Sequence, residues 1–301
     1  MRDLRPSDLP QLPKLLTVLD REPIPWDVGW LQHKIFDDPD YDSALSPVFV
    51  DDERLIAIAH GVIRQYEERH GGTAAFLKLM AVDPACQRRG LMSQLMDRFE
   101  ARVKLAGVER IKIDFCPPAF LIPGVDPGYT AALALLLRRG YKSSRQSYVN
   151  MRVPLDAEKL ETAVDESRLH KLGIEVRRAS IEDKEAAMRL GYGLGGDFWR
   201  SEVEDAFYYD LIRLHLALRN GEFVAFAVQD VSGPTLFGPT ATEPSARRLG
   251  IGTVLLKHCL RDVLNKGHSE AIICGAGPIA YYISAVGASV CRYFWPFEKV
   301  L

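Results

Sequence analysis

The sequence contains no apolar run approaching the ~18 successive residues of a membrane helix, and its opening MRDLRPSDLP places charges and prolines where a secretory leader needs a continuous apolar stretch. The expected location is therefore the cytoplasm, with no membrane partner. Cysteine is scarce. Cys86, Cys116, Cys259, Cys274 and Cys291 are odd in number and widely scattered, which speaks for reduced thiols and against a disulfide framework. Neither these cysteines nor the seven histidines stand at metal-ligand spacing, so no metal site is expected. An excess of either charge is missing as well: 38 Lys and Arg face 40 Asp and Glu, a net charge of −2 with no bulk attraction to nucleic acid or anionic lipid. What remains is an ordinary globular composition, 47% hydrophobic and 26% charged over 301 residues. That length suits two domains of roughly 150 residues, each large enough for its own core.

The most informative stretch is Ser245 to Leu260, SARRLGIGTVLLKHCL, in which Arg247-x-x-Gly250-x-Gly252 separates an extended run from an amphipathic helix. The preceding Thr235–Thr242 is short, apolar or hydroxylated, and reads as a strand. After the glycines, Leu255, Leu256, Cys259, Leu260, Val263 and Leu264 recur at three- and four-residue spacing, so a helix starts near Gly250. Its first-turn N–H groups have no intrahelical partner. With no Cβ at Gly250 and Gly252, an anion can approach them closely, and Arg247 or Arg248 adds a cation. A nucleotide P-loop is excluded because Thr253 and Val254 follow Gly252 where Lys and Ser/Thr are needed. A dinucleotide loop fits poorly: Leu255 stands at the third glycine position, and Glu270 begins the next strand instead of ending it.

The loop occurs twice. Asp83-Pro84-Ala85-Cys86-Gln87-Arg88-Arg89-Gly90-Leu91-Met92 aligns with Glu243-Pro244-Ser245-Ala246-Arg247-Arg248-Leu249-Gly250-Ile251-Gly252 at a constant offset of 160 residues. The offset persists along the helix: Leu95 falls on Leu255, Phe99 on Cys259, Val103 on Val263, and Gly107 on Gly267. A repeat this long marks whole folding units. The first copy reads as helices over Ser7–Asp20 and Pro25–Phe36, strands over Pro47–Val50, Leu55–Arg64 and Ala74–Val82, then the loop, its helix, a strand over Arg110–Phe115 and a helix over Tyr129–Arg139. The second begins with a strand at Gly173–Arg178 and a helix capped by Ser180 with Asp183 as its acid, then shows a hairpin about Asn220-Gly221. The predicted domains are residues 1–154 and 173–301. The charged segment 155–172, with no strand signal, is the expected linker.

This order is an α/β arrangement (α+β in type) around a mixed, mainly antiparallel sheet flanked by helices. With its Arg-x-x-Gly-x-Gly loop, the chain resembles the GNAT acetyltransferase superfamily over nearly its whole length, with tandem copies as in mycothiol synthase. The resemblance implies two acyl-CoA N-acyltransferase folds and acetyl-CoA as co-substrate. In the second copy its pyrophosphate would be held by Arg247, Arg248, Leu249, Gly250, Ile251, Gly252 and Thr253, and its arm would lie along Thr240, Ala241 and Thr242. Gln87, Arg88, Arg89 and Gly90 form a weaker second site. In GNAT enzymes a tyrosine before a Gly-aromatic or Gly-Ala pair protonates the departing thiolate. Tyr282, before Gly287-Ala288, matches that position with one extra residue of spacing, and Tyr281 is the fallback. The first copy has Leu136 there and Met92 in place of the second glycine, so it is expected to be catalytically degenerate. The implied reaction is direct transfer of an acetyl group to an amine of a small molecule or peptide in a ternary complex. Asp230 and His215 are candidates for the base, with an ordered water as the alternative. The alternative is a non-catalytic acyl-CoA-binding regulatory or assembly module.

Overall fold

The computed structural model describes residues 1–21, 26–66, 72–143 and 147–301. In chain order it contains β1 (Arg2–Asp3), α1 (Leu12–Leu16), α2 (Val28–Leu31), β2 (Pro47–Asp51), β3 (Arg54–Gln65), β4 (Thr73–Val82), α3 (Leu91–Leu105), β5 (Arg110–Ile113), α4 (Thr130–Arg138), β6 (Lys142–Ser143) and β7 (Tyr148–Pro154). There follow α5 (Ala163–His170), β8 (Ile174–Arg178), α6 (Lys184–Asp205), β9 (Leu214–Arg219), β10 (Glu222–Gln229), β11 (Leu236–Thr242), α7 (Ile251–Asn265), β12 (Glu270–Ile273), α8 (Ile279–Val286), β13 (Ser289–Phe294) and β14 (Phe297–Val300). Among the described residues, no helix is long and apolar enough to cross a membrane.

Two seven-stranded mixed sheets result, ordered β1-β2-β3-β4-β5-β14-β6 and β13-β7-β12-β11-β10-β9-β8. The 160-residue offset survives in the fold: α3 and α7 are both 15 residues long and begin after a left-handed glycine, at Gly90 and Gly250. Each helix lays an apolar face on its sheet. Leu95, Met96, Phe99 and Val103 of α3 join Ala57, Ala59, Ala75 and Leu77 in one core, while Val254, Leu255, Cys259 and Val263 of α7 join Ala225, Ala227 and Phe237 in another. Burying one such Phe or Leu contributes roughly 1.5–3 kcal/mol.

The compact units are Met1–Tyr148 with Tyr293–Leu301, and Val149–Arg292. The expected boundaries at 154 and 301 differ because the last strand of each copy completes the other copy's sheet. β7 pairs antiparallel with β12, Ala271 facing Val153 and Ile273 facing Met151. β14 pairs with β5, Phe297 facing Ile113 and Lys299 facing Ile111. Alternation directs the burial: Val149, Met151 and Val153 enter the second core, and Phe297 the first.

Two further expectations change. Residues 155–172 are not a free linker: Leu160 and Leu169 are buried in the second core, and α5 occupies much of the segment. The helix expected over Ser7–Asp20 is a 3₁₀ turn at Pro6–Gln11 followed by the short α1, since Pro10 and Pro13 cannot donate to a continuous helix. The helix expected over Pro25–Phe36 is α2 followed by a π-helical turn at Gln32–Phe36, and Pro25 lies outside the described residues.

Candidate active site

In the second unit, β11 pairs in parallel with β12 only through Leu236–Ile272 and Phe237–Ile273. Beyond Phe237 the two strands part. On its other side β11 stays paired with β10, but the register jumps between Ala227 and Gln229 to take up the extra chain at Gly238 and Pro239. The opening therefore has residues 238–242 along one wall and the start of α7 at its end. After the turn at Pro244–Ala246, Arg247 is extended (φ −66°, ψ 157°) and its Nε donates to the Thr242 carbonyl at 3.0 Å, tying the strand end to the loop. Arg248 (φ 66°) and Gly250 (φ 87°) are both left-handed. Gly250 is the N-cap of α7 and supplies no side-chain cap, so the first-turn N–H groups are left for a ligand.

The first unit repeats this geometry. Gln87 is extended (φ −64°, ψ 162°), Arg88 (φ 64°) and Gly90 (φ 78°) are left-handed, and Gly90 caps α3. β4 pairs with β5 only through Ala75–Ile111 and Phe76–Lys112, and its register against β3 jumps between His60 and Gly61, leaving Lys78 as the extra residue. The opening holds a cavity of about 710 Å³, walled by β4 residues from Leu77 to Val82 and by Gln87, Arg88 and Gly90 of the loop. Tyr129, from the Pro- and Gly-rich segment after β5, closes another side.

Two splayed parallel strand pairs, each beside a bare-Cα loop at a helix start, now stand beside the comparisons. Residues 12–121 match the model of the acetyltransferase (GNAT) family. That match lies within the first unit. The enzyme class of that family is N-acetyltransferase, with an acyl-CoA as donor. No curated protein sequence matches this one. Among solved structures, the chain is similar to the GCN5-related glucosamine N-acetyltransferase region of a fungal multi-domain GH3 β-N-acetylglucosaminidase, with a TM-score of 0.77 and 16% identity over 99% of this chain. It spans 37% of that fungal chain. A GCN5-related N-acetyltransferase from Sphaerobacter thermophilus gives a TM-score of 0.65 at 18% identity, covering 99% of this chain and 94% of the other. A tandem GNAT protein from the clavulanic acid biosynthesis pathway gives 0.68 at 14% identity, covering 99% and 97%.

The site residues expected from the sequence fall into two groups. Thr242, Arg247, Gly250, Gly252, Thr253 and Tyr281 converge at the start of α7. Arg248 is exposed there, while the Ile251 side chain turns into the core. A Cβ on Gly252 would lie 3.3 Å from the Tyr281 hydroxyl and 3.8 Å from Thr242 Oγ1. The Tyr281 hydroxyl is also 3.5 Å from Thr253 Oγ1. Thr240 and Ala241 belong to the sheet wall: Thr240 Oγ1 donates to the Phe226 carbonyl at 2.9 Å, and Ala241 packs on the α6 side. In the first copy Gln87 donates to the Val82 carbonyl and Arg89 to the Ala85 carbonyl, so both brace the loop.

Tyr282 sits differently. It is 5% exposed, with its ring edge-on to Phe237 at 6.3 Å, and Phe237 is the last β11 residue paired to β12. Its hydroxyl has no hydrogen-bond partner among the described residues, and burial pushes its pKa above the usual tyrosine value. Leu136 holds the same place in α4: the Tyr141 N–H donates to the Leu136 carbonyl as the Ala288 N–H does to that of Tyr282. The two candidate bases are committed elsewhere. Asp230 accepts from the Thr235 N–H and from Lys266, and His215 Nε2 bonds Asp262 Oδ2 at 2.7 Å.

Two features escaped the sequence reading. Arg168 of α5 donates to the Leu249 carbonyl at 2.9 Å. In the first unit, a buried charge cluster lies behind the bulge of β4. Lys78 Nζ donates to Asp38 Oδ2 at 2.6 Å, and Arg64 bonds both oxygens of Asp38 at 2.6 Å, Asp40 at 2.5 Å and the Pro118 carbonyl at 2.7 Å. Burial pushes the Asp38 carboxyl up, but Lys78 and Arg64 outweigh it and hold the pKa at about 2. The signal available in the sequence was one lysine inside the otherwise apolar β4, TAAFLKLMAV.

Proposed function

We propose that this protein is an N-acetyltransferase that takes the acetyl group of acetyl-CoA and passes it to an amine of a small molecule or peptide, with the chemistry in the second copy. The observation that carries the reading is the pairing, in that copy, of a bare-Cα anion loop at Arg247–Thr253 with a phenol, Tyr282, packed at the point where β11 and β12 part. The residues present suit a diphosphate: first-turn N–H groups, two arginines, and no Cβ at 250 or 252.

In the proposed reaction the acceptor nitrogen attacks the thioester carbonyl, a carbon–nitrogen bond forms and the carbon–sulfur bond breaks. Tyr282 donates its proton to the leaving thiolate. The Tyr281 hydroxyl faces Gly252 and Thr253 at the start of α7, and we assign it to the wall of the donor site, with Tyr282 as the acid. The proton lost by the acceptor passes to water, since Asp230 and His215 are held in other bonds. Positioning and electrostatics carry the rest of the rate.

For the first copy a second reading is favoured. Its loop has the same backbone and its cavity of about 710 Å³ is open, but Leu136 stands in the place of Tyr282 and has no proton to give. We read it as an acyl-CoA-binding module without turnover. The test of the whole proposal is thiol release from acetyl-CoA across a panel of amines and amine-bearing peptides. Turnover with at least one acceptor is expected. Binding of acetyl-CoA with no turnover on any of them would move both copies to the binding-module reading.

A further inference from the structure

The segment read from sequence as a linker is fastened along α7. Thr162 bonds Glu166 at 2.5 Å, Glu166 Oε1 bonds His258 Nε2 at 2.8 Å, Arg261 donates to Thr162 Oγ1 at 2.6 Å and to the Leu160 carbonyl at 3.1 Å, and Lys257 reaches the Glu161 carbonyl at 3.2 Å. Leu160 and Leu169 are buried beneath. None of these contacts needs Arg168, whose side chain is 49% exposed and extends from the far end of α5 to the loop. There Nη1 holds the Leu249 carbonyl at 2.9 Å, and Nη2 lies 2.5 Å from where a Cβ on Gly250 would stand. Gly90, at the same place in the first copy, has nothing within 4 Å of its Cβ position.

We propose that Arg168 is a donor-binding residue of the second copy, recognising the diphosphate of acyl-CoA from outside the loop motif. This rests on the function proposed above. Two features of its position give the role. In a trans peptide the carbonyl and the next N–H point in opposite directions. Holding the Leu249 carbonyl therefore fixes the direction of the Gly250 N–H at the start of α7. A guanidinium also carries five N–H donors in a planar fork. Leu249 takes one and Asp165, 3.4 Å from Nη2, competes for another, while the guanidinium charge adds to the positive field of the helix start. Gly250 is then required twice, for its left-handed φ of 87° and for the space the guanidinium occupies.

The test is isothermal calorimetry with the full chain carrying Gly90→Val, so that the second loop alone is read. Acetyl-CoA is compared with S-acetyl-pantetheine, which has the same arm and no diphosphate. Arg168→Ala is expected to weaken acetyl-CoA binding about tenfold, the scale of a charge-assisted hydrogen bond, and to leave S-acetyl-pantetheine unchanged. Arg168→Lys, with the charge but not the fork, should restore part of the loss. If the parent binds acetyl-CoA and Arg168→Ala binds it equally well, this inference is overturned while the proposed function stands. Equal losses for both ligands would assign Arg168 to loop structure and overturn it too. A parent that binds no acyl-CoA overturns the underlying function and the inference together.

Discussion

The Tyr281 hydroxyl lies over Gly252, 3.3 Å from where a Cβ would be and 3.5 Å from Thr253 Oγ1, whereas the next residue, Tyr282, turns its ring into the core against Phe237. Adjacent residues on a helix point about 100° apart, so α8 presents one phenol to the start of α7 and the other to the strand junction.

That division predicts different losses. Tyr282→Phe removes one hydroxyl that has no partner among the described residues and keeps the ring, so stability and acetyl-CoA affinity should hold while kcat falls ~10²–10⁴-fold, the range of general acid catalysis. Tyr281→Phe should act mainly on KM for acetyl-CoA. Steady-state kinetics on both variants checks this, and a kcat for Tyr282→Phe within about threefold of the parent would assign that residue to packing.

The loops should respond unequally. In Gly252→Val the new side chain meets the movable tip of Tyr281, so the fold persists, while backbone access for a phosphate closes and acetyl-CoA affinity drops at least tenfold, about 1.4 kcal/mol. Gly90→Val places a β-branched residue at φ 78° in the first loop and should remove binding there with turnover largely intact. Equal loss of turnover from the two changes would contradict the division of labour between the copies.

Asp38 sets a pH dependence in the first unit. Its pKa, held at about 2 against an ordinary ~3.9, means the folded state favours the carboxylate. The resulting stability, roughly 2–3 kcal/mol, is fully present above about pH 4 and is lost as pH falls through about 2. Asp38→Asn leaves Arg64 and Lys78 buried without their shared anion and should cost on the order of 3 kcal/mol at neutral pH. Urea unfolding at stepped pH should show the gap between parent and variant narrowing between pH 4 and 2. A gap independent of pH would mean that Asp38 is not the titrating group.

Much of the architecture was legible because it is local. The left-handed residues at Gly90 and Gly250, the two fifteen-residue helices, and the turn at Asn220-Gly221 follow from glycine's φ range and from apolar periodicity within a few turns of chain. The repeat made each reading count twice. Where prolines interrupted the pattern, at Pro10 and Pro13, the local reading overran the helix.

The sequence by itself therefore determined the two copies, their order of elements and the paired glycine loops at the helix starts. The tertiary structure decided which strand completes which sheet, since β7 and β14 both alternate and backbone hydrogen bonds do not distinguish one partner strand from another. It also decided that 160–170 is a docked segment carrying Arg168 to Gly250, because that depends on Thr162, Glu166, His258 and Arg261 meeting across about a hundred residues of chain. The roles of Tyr281 and Tyr282 were open for the same reason. Both are apolar-face tyrosines in the sequence, and only the packing of α8 on Phe237 and the start of α7 fixes which way each one points.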